Sequence, residues 1–256
     1  MNAREQQYFH GISTHKFDNT LQFSDFRNTL REIHEGSLRD GFYFEDKYEA
    51  TQDLRPHAYD YDDSIIDVLI QDNIHQKMID IFGYELFLCH VQIRISYKKD
   101  VRTAPYYDFY LSSWTRIPYN EDNLSYMPWH RDTYVDEDNK VVGPVPPMKK
   151  LIYYPKFNDV HNDCLMFALG SHLKTERTRQ ADVEQLHKAQ ILKMPNSVDD
   201  YVIFNTECMH HALPPTSDKQ MRVIYSFCPI GQLEHHRDKG TYEKYMEKLN
   251  ESLHSE

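Results

Sequence analysis

The chain has 256 residues, of which 40% are apolar, with 19 Tyr and 13 Phe, a composition typical of a folded globular protein and not of a disordered one. Its formal net charge of −11 argues against a surface for nucleic acid or anionic lipid, because such surfaces need clustered Lys and Arg. No signal peptide or membrane-spanning apolar stretch is visible, and the four cysteines are scattered. We therefore expect a single cytoplasmic domain over residues 1–256.

Two helices are predicted in the first part of the chain, residues 1–85. The segment 24–42 has Ser24 as a start signal and Gly41 beyond its end. The segment 62–85 has apolar residues at helical spacing and ends at Gly83. Both helices are expected to pack on the remainder of the protein.

Residues 86–230 change to short segments rich in aromatic and β-branched residues, separated by Pro, Asn, Asp and Gly. Such a series predicts a β-sandwich or barrel. A closing helix is predicted at 240–253, within a C-terminal part of 231–256, because its apolar residues fall on one helical face. The expected fold class is mainly β with flanking helices. The predicted strands are 86–97, 108–117, 127–135, 149–157, 164–171, 200–213 and 220–230.

Histidine and aspartate occur two residues apart at three places. Residues i and i+2 of a strand share one face, so a chelating pair of this kind needs a strand. The run WHRDTYV supplies strand-forming residues around the first pair. The second pair lies in a turn rich in Asn and Asp, and the third just before the closing helix. We therefore expect the first pair to bind a metal. The pairs are His130/Asp132, His161/Asp163 and His236/Asp238.

A third metal ligand is available in the run CMHHAL, where His210 and His211 are adjacent near the end of a predicted strand. Two imidazoles and one carboxylate form the facial triad of non-haem Fe(II) oxygenases, which leaves three positions open. Arg222 begins the returning strand. Its planar guanidinium is suited to gripping the carboxylate of a cosubstrate in two places.

Together, these motifs resemble the phytanoyl-CoA dioxygenase-like family of Fe(II)/2-oxoglutarate oxygenases over roughly residues 30 to 230. The order is His130-x-Asp132, then LGSH at 169–172, then His211 and Arg222, eleven residues apart. Leu169 stands where the family has Pro, and HALPPTS departs from the family's usual sequence after the distal His. The resemblance implies a double-stranded β-helix (jelly-roll, cupin-like) core, Fe(II), the cosubstrates 2-oxoglutarate and O₂, and hydroxylation of a substrate.

The resemblance also implies roles for individual residues. The eleven-residue spacing to Arg222 favours His211 over His210 as the third metal ligand, and His210 is then an outer partner or a core residue. Arg222 is expected to hold the distal carboxylate of 2-oxoglutarate, and Ser217 to contact the same cosubstrate. Arg116 is expected either to bind a carboxylate in the pocket or to pair with an acidic loop.

Two other functions fit the sequence less well. One is a cupin-type metalloenzyme that does not use 2-oxoglutarate, and the other is a non-catalytic binding module. The segments 98–128 and 133–150 flank the first His-x-Asp pair and are expected to form a lid. They contain Tyr, Asp, Glu and Lys with few long aliphatic residues, which favours a small polar metabolite or a natural-product intermediate as substrate. A monomer or homodimer is expected.

Overall fold

The structure is a computed structural model that describes residues 1–18, 21–48, 51–97, 127–132, 148–157, 165–173, 179–194, 198–212, 217–235 and 238–254. Six α-helices lie in these ranges. They are α1 (Ala3–His10), α2 (Leu21–Glu35), α3 (Ser64–Gln71), α4 (Ile74–Phe82), α5 (Arg179–Lys188) and α6 (Lys239–Leu253).

Eleven strands lie in the same ranges. They are β1 (Ile12–Lys16), β2 (Tyr43–Tyr48), β3 (Thr51–Arg55), β4 (Phe87–Tyr97), β5 (Met127–His130), β6 (Lys149–Tyr153), β7 (Leu165–Ala168), β8 (Ile191–Lys193), β9 (Asp200–Asn205), β10 (His210–Ala212) and β11 (Lys219–Cys228).

The described strands form two sheets in which every pairing is antiparallel. The larger sheet has the order β1-β9-β6-β11-β4-β3-β2, and the smaller sheet has the order β5-β10-β7-β8. Chain neighbours are often not sheet neighbours, since β9, β10 and β11 alternate between the two sheets. Two packed antiparallel sheets with this alternation form a double-stranded β-helix, which confirms the predicted fold class.

Apolar side chains fill two layers, one on each face of the larger sheet. Along β11, Met221, Val223 and Tyr225 belong to the cluster that also contains the buried faces of the helices. Ile224, on the opposite face, packs between the sheets with Phe204 and neighbouring residues. Successive side chains of β11 therefore pack into different layers. The even-numbered residues of this strand face the space between the two sheets.

The N-terminal part differs from the predicted pair of helices: it begins with α1, and the helix predicted over 24–42 spans Leu21–Glu35. It also supplies three strands, and β3 pairs with β4 while β1 pairs with β9. The predicted helix over 62–85 is interrupted at Asn73, whose φ of 52° places it in the left-handed region. Asn tolerates that region better than most residues. The apolar spacing continues on both sides of Asn73, so the spacing alone does not show that the helix is broken there.

The predicted strand over 200–213 is two strands in different sheets. Residues 206–209 form a turn between β9 in the larger sheet and β10 in the smaller one. This turn decides which histidine faces the space between the sheets. The predicted strand at 108–117 lies outside the described residues. Within the described part of the chain, no helix is both long enough and apolar enough to cross a membrane.

Candidate metal centre

His130, Asp132 and His210 come together at one end of the smaller sheet. One potential ligand atom from each of them lies within 4.8 Å of the other two. His130 Nε2 is 3.7 Å from Asp132 Oδ1, and His210 Nε2 is 3.7 Å from Asp132 Oδ2. Both imidazoles are almost fully buried, whereas the carboxylate is partly accessible. Two imidazoles and one carboxylate are the donor set of a facial triad.

Strand register places the two histidines side by side. β10 pairs with β5 so that His210 lies opposite His130, and cross-strand partners share one face of a sheet. The centroids of their rings are 4.3 Å apart. The His210 ring also contacts Phe204 of the larger sheet, at 5.0 Å between centroids. His210 therefore faces the space between the two sheets.

His211, which the spacing to Arg222 favours as a ligand, points to the other face of β10. Its ring stacks on Trp129 at 5.2 Å between centroids, with an interplanar angle of 18°. Side chains of adjacent residues on a strand alternate, so only one of the two can face the cluster. The structure thus brings His210, and not His211, to His130 and Asp132. The spacing to Arg222 becomes twelve residues.

A hydrogen bond fixes the tautomer of His210. Its Nδ1 lies 2.9 Å from the carbonyl oxygen of Cys208, which can only accept, so Nδ1 carries the proton and the lone pair of Nε2 is left for a metal ion. Burial lowers the pKa of His210, and the charge of Asp132 opposes that shift only in part. Burial likewise lowers the pKa of His211 to about 3. A neutral imidazole with an oriented Nε2 is the form that binds a metal.

Lys150, which the sequence did not single out, lies beside the carboxylate of Asp132. Its Nζ is 2.7 Å from Asp132 Oδ2. Burial acts to raise the pKa of Asp132, but the charge and the hydrogen bond of Lys150 hold it well below its usual range. Asp132 is therefore ionised and able to bind a cation. The sequence contained one signal for this residue: side chains alternate along a strand, so one of the adjacent Lys149 and Lys150 had to face the interior.

The residues around LGSH support the turn that precedes His210. The Ser171 hydroxyl accepts a hydrogen bond from the backbone N–H of Met209 at 2.7 Å. Arg131, the residue after β5, donates to the carbonyl oxygens of Ser171, at 2.9 Å, and of Glu207. These contacts connect the LGSH segment and the end of β5 to the 206–209 turn.

Arg222 lies on β11 of the larger sheet, whereas His210 lies on β10 of the smaller sheet. Arg222 is almost fully buried. It occupies a position of β11 that faces the space between the sheets, and its charge contributes to lowering the pKa of His210. Its cross-strand partner Arg94 is held by Asp53, to which Nε and a terminal guanidinium nitrogen donate at 2.6 and 3.1 Å. The charge of Arg94 is thereby compensated within the sheet.

Of the other predicted cosubstrate contacts, only Ser217 lies within the described residues. The Ser217 hydroxyl donates to the carbonyl oxygen of Lys219 at 2.8 Å, within the turn that begins β11. Arg116 lies outside the described residues, as do His161, Asp163 and His236. Asp238 instead caps the N-terminus of α6 by accepting from Thr241. It is thus a helix cap, as expected for a pair outside the β core.

No family model and no curated protein matches the chain. Solved structures, by contrast, do match the chain. The nonhaem α-ketoglutarate-dependent epimerase SnoN from nogalamycin biosynthesis has a TM-score of 0.58 at 10% identity, covering 88% of this chain and 80% of that one. HygX from Streptomyces hygroscopicus, with nickel, 2-oxoglutarate and hygromycin B bound, has a TM-score of 0.54 at 13% identity, covering 89% of this chain and 87% of that one. EctD from S. alaskensis with bound Fe has a TM-score of 0.54 at 12% identity, covering 90% of this chain and 76% of that one.

At these identities the likeness concerns the fold, and it extends over nearly the whole chain. The two packed antiparallel sheets are thus those of a double-stranded β-helix shared with enzymes that depend on 2-oxoglutarate, also called α-ketoglutarate.

Proposed function

We propose that this protein is an Fe(II)- and 2-oxoglutarate-dependent oxygenase. The observation that carries the proposal is the buried cluster of His130, Asp132 and His210, faced by Arg222 from the opposite sheet. The donor set fits Fe(II), since His210 presents Nε2 and Asp132 is ionised. The three residues would hold the metal, and Fe(II) with 2-oxoglutarate and O₂ supplies the oxidising chemistry.

The residues of the chain have separate tasks in this proposal. His130, Asp132 and His210 would hold the metal through three ligand atoms, a number that leaves room for the keto-acid end of 2-oxoglutarate. Arg222 binds the distal carboxylate, because its fork geometry matches two oxygens at once. The apolar side chains between the sheets, including Phe204 and Ile224, exclude water around the bound cosubstrate. Ser217 and Arg116 remain proposed cosubstrate contacts.

The proposed reaction is hydroxylation of a small polar metabolite or a natural-product intermediate. The fold neighbours support this substrate class, since SnoN comes from nogalamycin biosynthesis and HygX is solved with hygromycin B. Because SnoN is an epimerase and SnoK a carbocyclase, the mass of the product is the informative measurement. A hydroxylase adds one oxygen atom, whereas an epimerase leaves the mass unchanged.

Succinate formation tests the proposal. The wild-type protein with Fe(II), O₂ and 2-oxoglutarate, incubated with a panel of polar metabolites, is expected to form succinate, and Asp132→Ala to form none. Asp238→Ala is the matched control, because Asp238 belongs to the same sequence pattern but caps a helix. Iron binding without succinate would instead indicate a metalloenzyme that does not use 2-oxoglutarate. Absence of iron binding would indicate a binding module.

A further inference from the structure

Lys150 brings a positive charge directly to the candidate metal centre. It lies on β6, where alternation places it on the same face as Ile152, one of the residues packed between the sheets. Its Nζ contacts Asp132 Oδ2 at 2.7 Å, and its side chain is 19% exposed. Any ligand bound to a metal at this centre would therefore lie a few ångströms from an ammonium group.

Lys150 and Arg222 approach the centre from different points on the larger sheet. In the register of β6 with β11, Lys150 lies opposite Ser226, which is four residues from Arg222. Four residues of a strand span about 13 Å, so the two backbone positions are well separated. Both positions nevertheless face the space between the sheets, since Ile152 and Ile224, which share their faces of β6 and β11, pack there. Two cations at separate points suit a ligand with an anionic group at each end.

Lys150 acts locally on the charges at the metal end of the centre. A divalent metal, ionised Asp132 and a doubly charged 2-oxo acid leave one negative charge at the centre, in surroundings of low dielectric constant. Arg222 is placed to offset the charge at the far end of such an acid. A second cation at the metal end would favour binding, since opposite charges a few ångströms apart attract strongly where water is excluded.

We propose that Lys150 is a cosubstrate-binding residue that stabilises the carboxylate at the metal-binding end of 2-oxoglutarate, while Arg222 holds the carboxylate at the far end. This inference rests on the proposed function. It assigns the two ends of the cosubstrate to two different strands, β6 and β11.

Two probes separate the two ends. N-oxalylglycine is an unreactive analogue of 2-oxoglutarate with both carboxylates, whereas oxalate has only the metal-chelating end. We would measure the binding of each by calorimetry to protein saturated with Ni(II), the metal present in the HygX structure. In metal-loaded protein the metal neutralises Asp132, so loss of Lys150 does not leave a buried carboxylate without a cation.

Lys150→Met is expected to weaken the binding of both probes by at least about 10-fold. Lys150→Arg, which keeps the charge, should bind both within a few-fold of wild type. Arg222→Ala should weaken N-oxalylglycine and leave oxalate unchanged. The matched control is Lys149→Met, because Lys149 is the adjacent residue, is nearly buried, and lies on the other face of β6 over the Phe82 ring at 5.3 Å. It should bind both probes as wild type does.

The outcomes distinguish this inference from the proposed function. If wild-type protein binds neither Ni(II) nor N-oxalylglycine, the proposed function is wrong. If wild-type protein binds both, and Lys150→Met binds the two probes with unchanged affinity, the role of Lys150 is refuted while the proposed function stands. Weakening of N-oxalylglycine alone in Lys150→Met would also refute it, because the charge would then act at the far end.

Discussion

Substitution of His210 and His211, one at a time, tests the candidate metal centre most directly. The two residues are adjacent, both are buried and both have a lowered pKa, so they are closely matched in sequence and environment. They differ in the face of β10 that they occupy. Only His210 lies beside His130 and Asp132, whereas His211 stacks on Trp129.

The structure gives opposite expectations for the two variants. His210→Ala removes one of three ligands and should weaken metal binding by more than the roughly 10- to 100-fold that loss of an outer partner costs. His211→Ala should change metal affinity by less than about 10-fold. It removes a ring packed against Trp129 in an apolar cluster, however, so the free energy of unfolding should fall by about 2–4 kcal/mol.

Two measurements on each variant check this reasoning. Titration of the metal-free proteins with Fe(II) under anaerobic conditions gives the metal affinity, and urea unfolding of the same proteins gives the stability. A titration in which His211→Ala loses the metal and His210→Ala retains it would refute the assignment of faces. It would also restore the eleven-residue spacing to Arg222.

Two further predictions concern the cosubstrate anchor and the dependence of stability on pH. Arg222→Ala should weaken 2-oxoglutarate binding by about 30- to 1,000-fold, and Arg222→Lys should raise KM because it keeps the charge but loses the fork. Fe(II) affinity should persist in both variants, and unaltered 2-oxoglutarate dependence in Arg222→Ala would place the anchor elsewhere. Burial, followed by the charge of Lys77, lowers the pKa of His15 to about 4, so the unfolded chain binds a proton more readily. His15 should therefore destabilise the protein as pH falls from 6.5 towards 4, and wild type should lose about 2 kcal/mol more unfolding free energy than His15→Gln between pH 7 and 4.5. If urea unfolding shows that wild type and His15→Gln lose the same unfolding free energy over this pH range, the predicted direction is wrong.

The sequence alone determined the elements that depend on local patterns. Strand-forming residues around His130 and Asp132 favoured this pair among the three, and His130 does lie in β5, although Asp132 lies two residues beyond the end of that strand. The separation between the pair at 236–238 and the β core was equally local, and Asp238 does cap α6. The series of short strands predicted two packed layers, which the sheets confirm.

Tertiary structure decided which residues meet. The choice between His210 and His211 depends on the turn at 206–209 and on the register of β10 with β5, and neither has a local signal. The spacing to Arg222 along the chain favoured His211, whereas the register of β10 places His210 beside His130 and Asp132. Lys150 is on a third strand, 18 residues from Asp132, and its contact exists only because the sheets pack face to face. Local sequence sets the direction of each side chain relative to its own strand, whereas sheet pairing and packing determine what that side chain contacts.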